Sequence, residues 1–195
     1  MPRIVTLPMD GEQARELRVR DEVLVRGRIV TGRAAARRRL LERDHPEIRA
    51  FSKGALLFHC APLVARDPDR RWRVRAAAPA RSLREEPYAA ELLARYGLRG
   101  FLGKGGLGVR TLAALALHGG AYLHAAPGLA VALARTMVRV EAVHLLAELG
   151  PAEAVWCLEV EDLPAVVTMD AHGQSLHALG GTRRAQGQHD RNAIA

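Results

Sequence analysis

The chain has 195 residues, of which 49% are hydrophobic, and it carries a formal net charge of +8 at pH 7. This length and composition fit one globular domain with a real core and exclude a wholly disordered chain. No apolar run approaches the roughly 18–20 residues that a membrane-spanning helix needs, and the N-terminus lacks the apolar segment of a secretory signal. We therefore expect a cytoplasmic protein with no membrane partner.

Arginine supplies almost all of the positive charge, and the arginines are scattered along the chain. There are only three phenylalanines and three tyrosines to stack on bases, and no helix-turn-helix, zinc-finger or RNP pattern is present. We therefore expect no nucleic-acid partner. An acidic partner protein and an anionic substrate remain as the two explanations of the charge.

Cys60 and Cys157 are the two cysteines of the chain, and both lie in apolar runs. This placement favours buried free thiols over a disulfide. Two thiolates are fewer than an iron–sulfur cluster takes. Because His118, His124 and His172 lack the spacing of metal ligands, we expect no metal bound by this chain alone.

In chain order, the periodicity and the turn signals predict helices and strands that alternate through the middle of the sequence. The predicted helices cover 12–20, 34–47 with a stop before Pro46, the segment 86–100 with the helix end at Gly97, 109–120 and 128–138. The predicted strands cover 21–33 with a bulge or close packing at Gly27, then 54–63, 72–79, 99–106, 121–127, 138–146, 154–162 and 163–170.

This alternation predicts a sheet that is partly parallel, with helices packed on the parallel part and strand-rich ends that extend it. We expect one α/β domain over residues 1–179, with Gly173 at positive φ in a turn over 170–176. Residues 180–195 have no periodicity and are predicted to form a flexible C-terminal tail.

The loop Gly103-Lys104-Gly105-Gly106 follows a predicted strand and precedes a predicted helix. Glycines let a backbone approach a ligand closely, and the free amides at a helix start favour an anion. Lys104 would add a point charge for a carboxylate or phosphate. The spacing is not that of a P-loop, and a plain tight turn explains the loop equally well.

Thr31-Gly32-Arg33 occupies the corresponding place at the end of an earlier strand. Arg33 could donate two parallel hydrogen bonds to a carboxylate. A surface arginine is the alternative for Arg33, and also for Arg84. Ser82 has no histidine at a spacing that would make it the nucleophile of a triad.

Taken in order, these segments resemble the β subunit, or C-terminal domain, of class I fumarases and L-tartrate dehydratases. The resemblance runs from about Thr6 to Leu176, and the segment "EAVWCLEVEDLPAVVTMDAHGQSL" is its most specific part. It rests on the strand ending in Thr31-Gly32-Arg33, on 54–62, on the loop 79–88, on 103–105 and on 153–176. The fold it implies is a swivelling β/β/α domain with a mixed sheet.

The resemblance implies reversible hydration of a carbon–carbon double bond between carboxylates. In that family a [4Fe–4S] cluster on the partner α subunit or domain acts as Lewis acid, and the β domain closes over it with cationic side chains. The resemblance therefore implies a cluster-bearing α subunit as partner, a carboxylic acid as substrate, no cofactor held by this chain, and a homo- or hetero-oligomer.

Carried over residue by residue, the resemblance assigns substrate binding to the cationic clamp of Arg33, Arg84 and Lys104. It adds Thr31, Gly103, Gly105 and Arg81 as further substrate-binding residues. Two residues near Arg33 differ from the family pattern. Ala34 stands where the family has Asp, and Arg37 stands where it has His.

The loop before Pro87 and Tyr88 departs from the family pattern at the position tied to proton transfer. Ala80 stands in place of the first threonine, and Arg81 in place of the second. Alanine cannot transfer a proton, and loss of a general acid or base costs roughly 10²–10⁴-fold in rate. Ser82 is the candidate replacement hydroxyl and Thr31 is the alternative, while Arg81 suits a substrate with an additional anionic group.

Two hypotheses of function follow from these residues. In the first, the chain is the β subunit of an iron–sulfur hydro-lyase acting on a di- or tricarboxylic acid. In the second, it is a catalytically inactive paralogue that kept an anion pocket and serves as a binding or regulatory partner protein.

Overall fold

The computed structural model describes residues 1–177, and the tail predicted over 180–195 lies outside this part of the chain. The helices are α1 Gly11–Arg15, α2 Ala34–Glu42, α3 Pro46–Ser52, α4 Glu86–Tyr96, α5 Val109–His118, α6 Ala130–Arg135 and α7 Leu146–Leu149, with a 3₁₀ turn at Ser82–Glu85. The strands are β1 Arg3–Leu7, β2 Glu22–Thr31, β3 Leu56–Phe58, β4 Leu63–Arg66, β5 Trp72–Ala76, β6 Gly100–Gly103, β7 Ala121–His124, β8 Met137–His144 and β9 Val155–Met169.

The main sheet has the strand order β1-β2-β3-β6-β7-β9-β8, and a further pairing of β2 with β9 closes it into a barrel-like ring. The pairs β1–β2, β2–β3, β3–β6 and β6–β7 are parallel. The long strand β9 runs antiparallel to β2, β7 and β8. The expectation of a mixed α/β fold with a partly parallel sheet is confirmed.

Side chains alternate between two cores because successive residues of a strand face opposite sides of a sheet. In β3, Leu56 and Phe58 belong to one core, whereas Leu57 belongs to the other. The second core also contains Leu40 of α2 and Leu92 of α4, so it lies between the sheet and those helices. The helices therefore cover one face of the parallel strands, as predicted.

Several predicted elements differ from the structure in their extent. The helix predicted over 34–47 ends at Glu42, and a separate helix begins at Pro46 because proline suits the first helical turn. The two strands predicted over 154–170 are one strand, β9, in which Asp162 takes a positive φ of 52°. Strand β5 pairs with β4 in a separate two-stranded sheet.

Gly27 lies at the irregularity that was predicted in β2. The register of β2 against β9 shifts between Val25 and Gly27, and Gly27 has a φ of 99°. A Cβ at this position would overlap the carbonyl of Leu7 on the neighbouring strand. Both reasons for a glycine, the positive φ and the close approach of another backbone, therefore apply here.

Candidate active site at the carboxyl ends of the parallel strands

The predicted cationic residues gather at one edge of the sheet. Thr31 of β2 is in register with Phe58 of β3, and Phe58 is in register with Leu102 of β6. These three strands are parallel, so their carboxyl ends meet. Arg33 follows β2 after Gly32, and Lys104 follows β6 directly. Both therefore lie at this edge, which is where α/β sheets bind ligands.

Residues 79–82 lie between the extensions of β3 and β6 and are held there by backbone hydrogen bonds. The Ala80 amide donates to the His59 carbonyl at 2.7 Å, and the Lys104 amide donates to the Ala80 carbonyl at 3.2 Å. The Ser82 amide donates to the Lys104 carbonyl at 2.9 Å. This pattern makes residues 79–81 an added short strand between the two strand ends, and Ser82 begins the 3₁₀ turn that follows it.

Arg81 is the bridge partner of Lys104 in this added strand, and the bridge is parallel. The Arg81 side chain is exposed and that of Lys104 is partly exposed. Neither cation forms an ion pair with a carboxylate of residues 1–177, whereas Arg33 does, with Glu153 at 3.5 Å. The structure thus brings Arg81 and Lys104, two of the predicted binding residues, together.

Arg33 and Thr31 end β2 but differ in accessibility. Arg33 is exposed at the start of α2, where Glu153 also accepts a hydrogen bond from the Ala35 amide at 2.9 Å. Thr31 is fully buried, and its Oγ1 accepts a hydrogen bond from the Trp156 amide at 3.1 Å. The Thr31 hydroxyl therefore continues the pairing of β2 with β9.

Arg84 lies in the 3₁₀ turn that follows the added strand, and its side chain is exposed. The next residue, Glu85, forms a buried ion pair with Arg37 of α2. The Arg37 guanidinium also lies over the Tyr88 ring, 4.2 Å from its centroid. Burial lowers the pKa of Arg37 from its ordinary value. These contacts connect the turn that carries Arg84 to helix α2.

Ser82 belongs to a buried hydrogen-bonded cluster. Its Oγ lies 2.8 Å from Nδ1 of His59, and it accepts a hydrogen bond from the Tyr122 hydroxyl at 2.8 Å. The exposed fractions of Ser82, His59 and Tyr122 are 0%, 2% and 0%. With Tyr122 donating to Ser82, the Ser82 hydroxyl is left to donate to Nδ1, which places the proton of the neutral His59 ring on Nε2.

Ionisation of this cluster is suppressed by its burial. Burial, together with the charge of Arg37, lowers the pKa of His59 to about 3. Burial raises the pKa of Tyr122 to about 12, against the opposing effects of its hydrogen bond with Ser82 and of the Gly106 amide. Both side chains are therefore neutral at pH 7, and the cluster is a rigid set of neutral hydrogen bonds.

His59 and Tyr122 were missed by the sequence analysis, which found no histidine suited to Ser82. His59 is 23 residues away in sequence and comes directly after the buried strand β3. Tyr122 lies inside β7, on the far side of β6. The sequence feature that could have indicated His59 as a site residue was its position at the carboxyl end of a parallel strand.

The expected anion site at the start of α5 is occupied by a side chain of the protein itself. The Glu86 carboxylate accepts hydrogen bonds from the amides of Gly108 at 2.6 Å, Arg110 at 3.1 Å and Thr111 at 3.2 Å. It also accepts one from the Thr111 hydroxyl at 2.6 Å. These amides are not free, so that part of the expectation is wrong.

The glycines of the 103–106 loop have different roles. A Cβ on Gly103 would overlap the Ser82 hydroxyl oxygen, so Gly103 makes room for the buried cluster. Gly105 and Gly106 have φ values of 81° and 72°, a region that glycine adopts without strain. The ring of His177 fills the space where a Cβ of Gly106 would lie. The glycines of this loop are thus required by close packing at Gly103 and Gly106 as well as by positive φ values.

Both cysteines are buried free thiols, as predicted. Cys60 packs in the first core and Cys157 in the second, and burial raises the pKa of each to about 12. Within residues 1–177, no group of three or more histidine, cysteine or acidic side chains could hold a metal ion. No helix in the same range is long and apolar enough to cross a membrane.

A family model described as "Fumarase C-terminus" matches residues 3–180. The chain is 46% identical over 177 residues to "Putative fumarate hydratase class I" of Geobacillus stearothermophilus, which covers 90% of this chain and 34% of that protein. This chain therefore spans about a third of that relative.

A second relative has a length close to that of the present chain. It is the "L(+)-tartrate dehydratase subunit beta" of Escherichia coli strain K12, which is 32% identical over 179 residues. The match covers 91% of this chain and 88% of that protein.

Proposed function

We propose, from the premise that this chain belongs to the fumarase C-terminal family, that it is the β subunit of an iron–sulfur hydro-lyase. Its reaction is the reversible hydration of an unsaturated di- or tricarboxylic acid. The names of its relatives, a fumarate hydratase and a tartrate dehydratase, support the hydration chemistry and the dicarboxylic case. A separate cluster-bearing α subunit is its partner in a hetero-oligomer, and the cytoplasm is its compartment. A swivelling β/β/α domain suits this role, because such a domain can close over the cluster of the partner.

One observation carries the proposal: Lys104 and Arg81 lie side by side at the carboxyl edge of the sheet without a carboxylate partner in residues 1–177. Charged side chains left without a partner at such an edge favour an anionic ligand. Arg33 and Arg84 extend from the two segments that flank this pair. A carboxylate bound to such cations gains charge-assisted hydrogen bonds.

Within this proposal each residue has a defined part. Arg33, Arg84 and Lys104 bind and orient the carboxylates of the substrate, and Arg81 and Gly105 line the same edge. Thr31 and Gly103 support this edge from inside the protein. Thr31 completes the pairing of β2 with β9, and Gly103 leaves space for the Ser82 hydroxyl.

Ser82 is the candidate hydroxyl for proton transfer within this chain. It would reach a substrate only if residues 79–82 separated from His59 and Tyr122, because its hydroxyl is fully buried. The partner subunit is the alternative source of the proton.

The cysteines of this chain are not suited to hold the iron–sulfur cluster itself. Cys60 and Cys157 lie in different cores on opposite faces of the sheet, and burial keeps both as neutral thiols. Thiolates are the ligands that such clusters require. We therefore place the cluster on the partner and derive no step of the reaction through it.

Co-expression with a cluster-bearing α subunit, anaerobic purification and a hydration assay on unsaturated di- and tricarboxylates tests the proposal. We expect a stable complex with turnover on at least one acid. The variant Lys104→Ala should raise the KM by about 10–100-fold, because a charge-assisted contact to a carboxylate is lost. Arg43→Ala removes the same charge at the opposite end of α2 and should leave the KM unchanged.

The inactive-paralogue hypothesis is favoured by a separate observation. Ala80 supplies only its backbone to the site, through its bonds to His59 and Lys104, and offers no hydroxyl. A complex that carries a cluster, binds carboxylates and turns over none of them would support this second function. It would contradict the hydro-lyase.

A further inference from the structure

We propose that Arg81 and Lys104 together form a subsite for a third anionic group, so that the ligand of this chain is a tricarboxylate rather than a simple dicarboxylate. This inference rests on the proposed function, which it makes more specific. Arg81 is the specificity-determining residue, and the buried cluster of Ser82, His59 and Tyr122 is the device that positions it.

The bridge between the two residues directs their side chains to one face. Residues paired across neighbouring strands project to the same side of the sheet. Arg81 and Lys104 are paired in this way, and the position of a Cβ on Gly105 would lie 3.8 Å from Cγ of Arg81. The Arg81 side chain therefore runs along the glycine loop, beside Lys104.

Two like charges in such a pair are unfavourable unless an anion lies between them. Like charges directly opposite each other in a sheet destabilise it. No carboxylate of residues 1–177 pairs with either group, although ion pairs form at Arg33 and Arg37 nearby. A carboxylate of the ligand would remove this repulsion.

Ser82 fixes Arg81 because the two are adjacent and the backbone of Arg81 is extended. The Ser82 side chain is fully buried whereas that of Arg81 is exposed, so Ser82 points into the protein while Arg81 points out. The Ser82 hydroxyl is held between His59 and Tyr122, at 2.8 Å from each partner atom. An arginine anchored in this way loses less conformational freedom on binding than one on a mobile loop.

A matched pair of unreactive acids measures the third contact directly. Propane-1,2,3-tricarboxylate and glutarate have the same three-carbon chain and differ in the central carboxylate. We expect the full chain, and its complex with the α subunit, to bind the tricarboxylate at least about tenfold more tightly by calorimetry at constant ionic strength. Equal affinities for the two acids would overturn the proposal. It would also be overturned if neither the full chain nor the complex bound either acid.

Two substitutions separate a subsite from a general effect of charge. Arg81→Ala should reduce the preference for the tricarboxylate to about twofold or less while the affinity for glutarate changes little. Arg43→Ala, which removes one charge far from the edge, should keep the preference. If both variants lower it equally, the preference is long-range attraction and the subsite is refuted.

Ser82→Ala tests the positioning role. The variant should lower the ratio of the two affinities several-fold although Arg81 and Lys104 are both present, and Ser82→Thr should restore part of it by returning the hydroxyl. A purely structural role of Ser82 would lower the stability of the protein and leave this ratio unchanged, which would remove the positioning cluster from the proposal.

The two proposals fail in different ways. If no acid is turned over but the tricarboxylate preference is present and lost in Arg81→Ala, the hydro-lyase is contradicted and the subsite stands. If a dicarboxylate is turned over and no preference is found, the subsite alone is contradicted.

Discussion

Arg37 of helix α2 and Glu85 of the 3₁₀ turn form an ion pair in which the exposed fractions of the two side chains are 10% and 15%. The pair joins the segment after β2, which carries Arg33, to the segment that carries Arg81 and Arg84. The relative position of these cations therefore depends on a contact between residues 48 positions apart in sequence. Tyr88, which packs on Arg37, strengthens this connection.

Removal of one partner of this ion pair should destabilise the protein. Arg37→Met leaves the Glu85 carboxylate in a poorly hydrated place without its counter-ion, and we expect the free energy of unfolding to fall by about 3 kcal/mol. Urea denaturation measures the change, with Arg38→Met on the exposed side of α2 as control. The double variant Arg37→Met/Glu85→Gln should recover part of the loss, and equal effects of the two single methionine variants would contradict the prediction.

Loss of the Glu86 carboxylate should weaken the start of helix α5. Glu86→Ala removes the acceptor of three backbone amides and of the Thr111 hydroxyl, and such caps contribute about 1–2 kcal/mol. We expect a lower urea midpoint at unchanged slope, with Glu86→Gln intermediate between alanine and the wild type. Glu91→Ala, on the exposed face of α4, should have little effect.

The stability of the protein should fall in acid because of His59. Its pKa is about 3 in the folded protein and about 6.5 when unfolded, so between these values the unfolded state binds a proton that the folded state does not. The free energy of unfolding is thus lowered as the pH falls below about 6.5, by up to about 1.4 kcal/mol per pH unit.

The variant His59→Asn checks this dependence, since an amide can still bond to Ser82 but does not titrate. Unfolding curves of both proteins from neutral pH to about pH 5 should show a steeper loss in the wild type. Identical slopes would mean that His59 already gains a proton in the folded protein over this range.

Gly103 and Ser82 should show coupled effects on stability. Gly103→Ala places a methyl group against the Ser82 hydroxyl and 3.0 Å from the Tyr122 hydroxyl, which we expect to cost about 1–3 kcal/mol. Removal of the hydroxyl in Ser82→Ala should make the glycine substitution less costly. A double-mutant cycle in urea measures this coupling, and strict additivity would show that the two side chains do not meet.

The amino-acid sequence by itself determined the class of fold and indicated where the candidate site lies. The strand-like and helix-like periods around β2, β6 and α4 follow from local side-chain patterns, and Gly97 ends α4 at a φ of 61° as its position predicts. Arg33 and Lys104 could be placed at strand ends for the same reason. Because parallel strands end at one edge, the alternation of elements is consistent with their position at the same edge of the sheet.

The tertiary structure decided how the site is held together. The cluster of Ser82, His59 and Tyr122 joins residues from three separate segments, and Glu86 reaches the start of α5 from another helix. Periodicity reports which face of its own helix or strand a side chain occupies, but not which side chain of another element it meets. Those partners depend on strand order and closure of the sheet, which are set by packing of the whole chain.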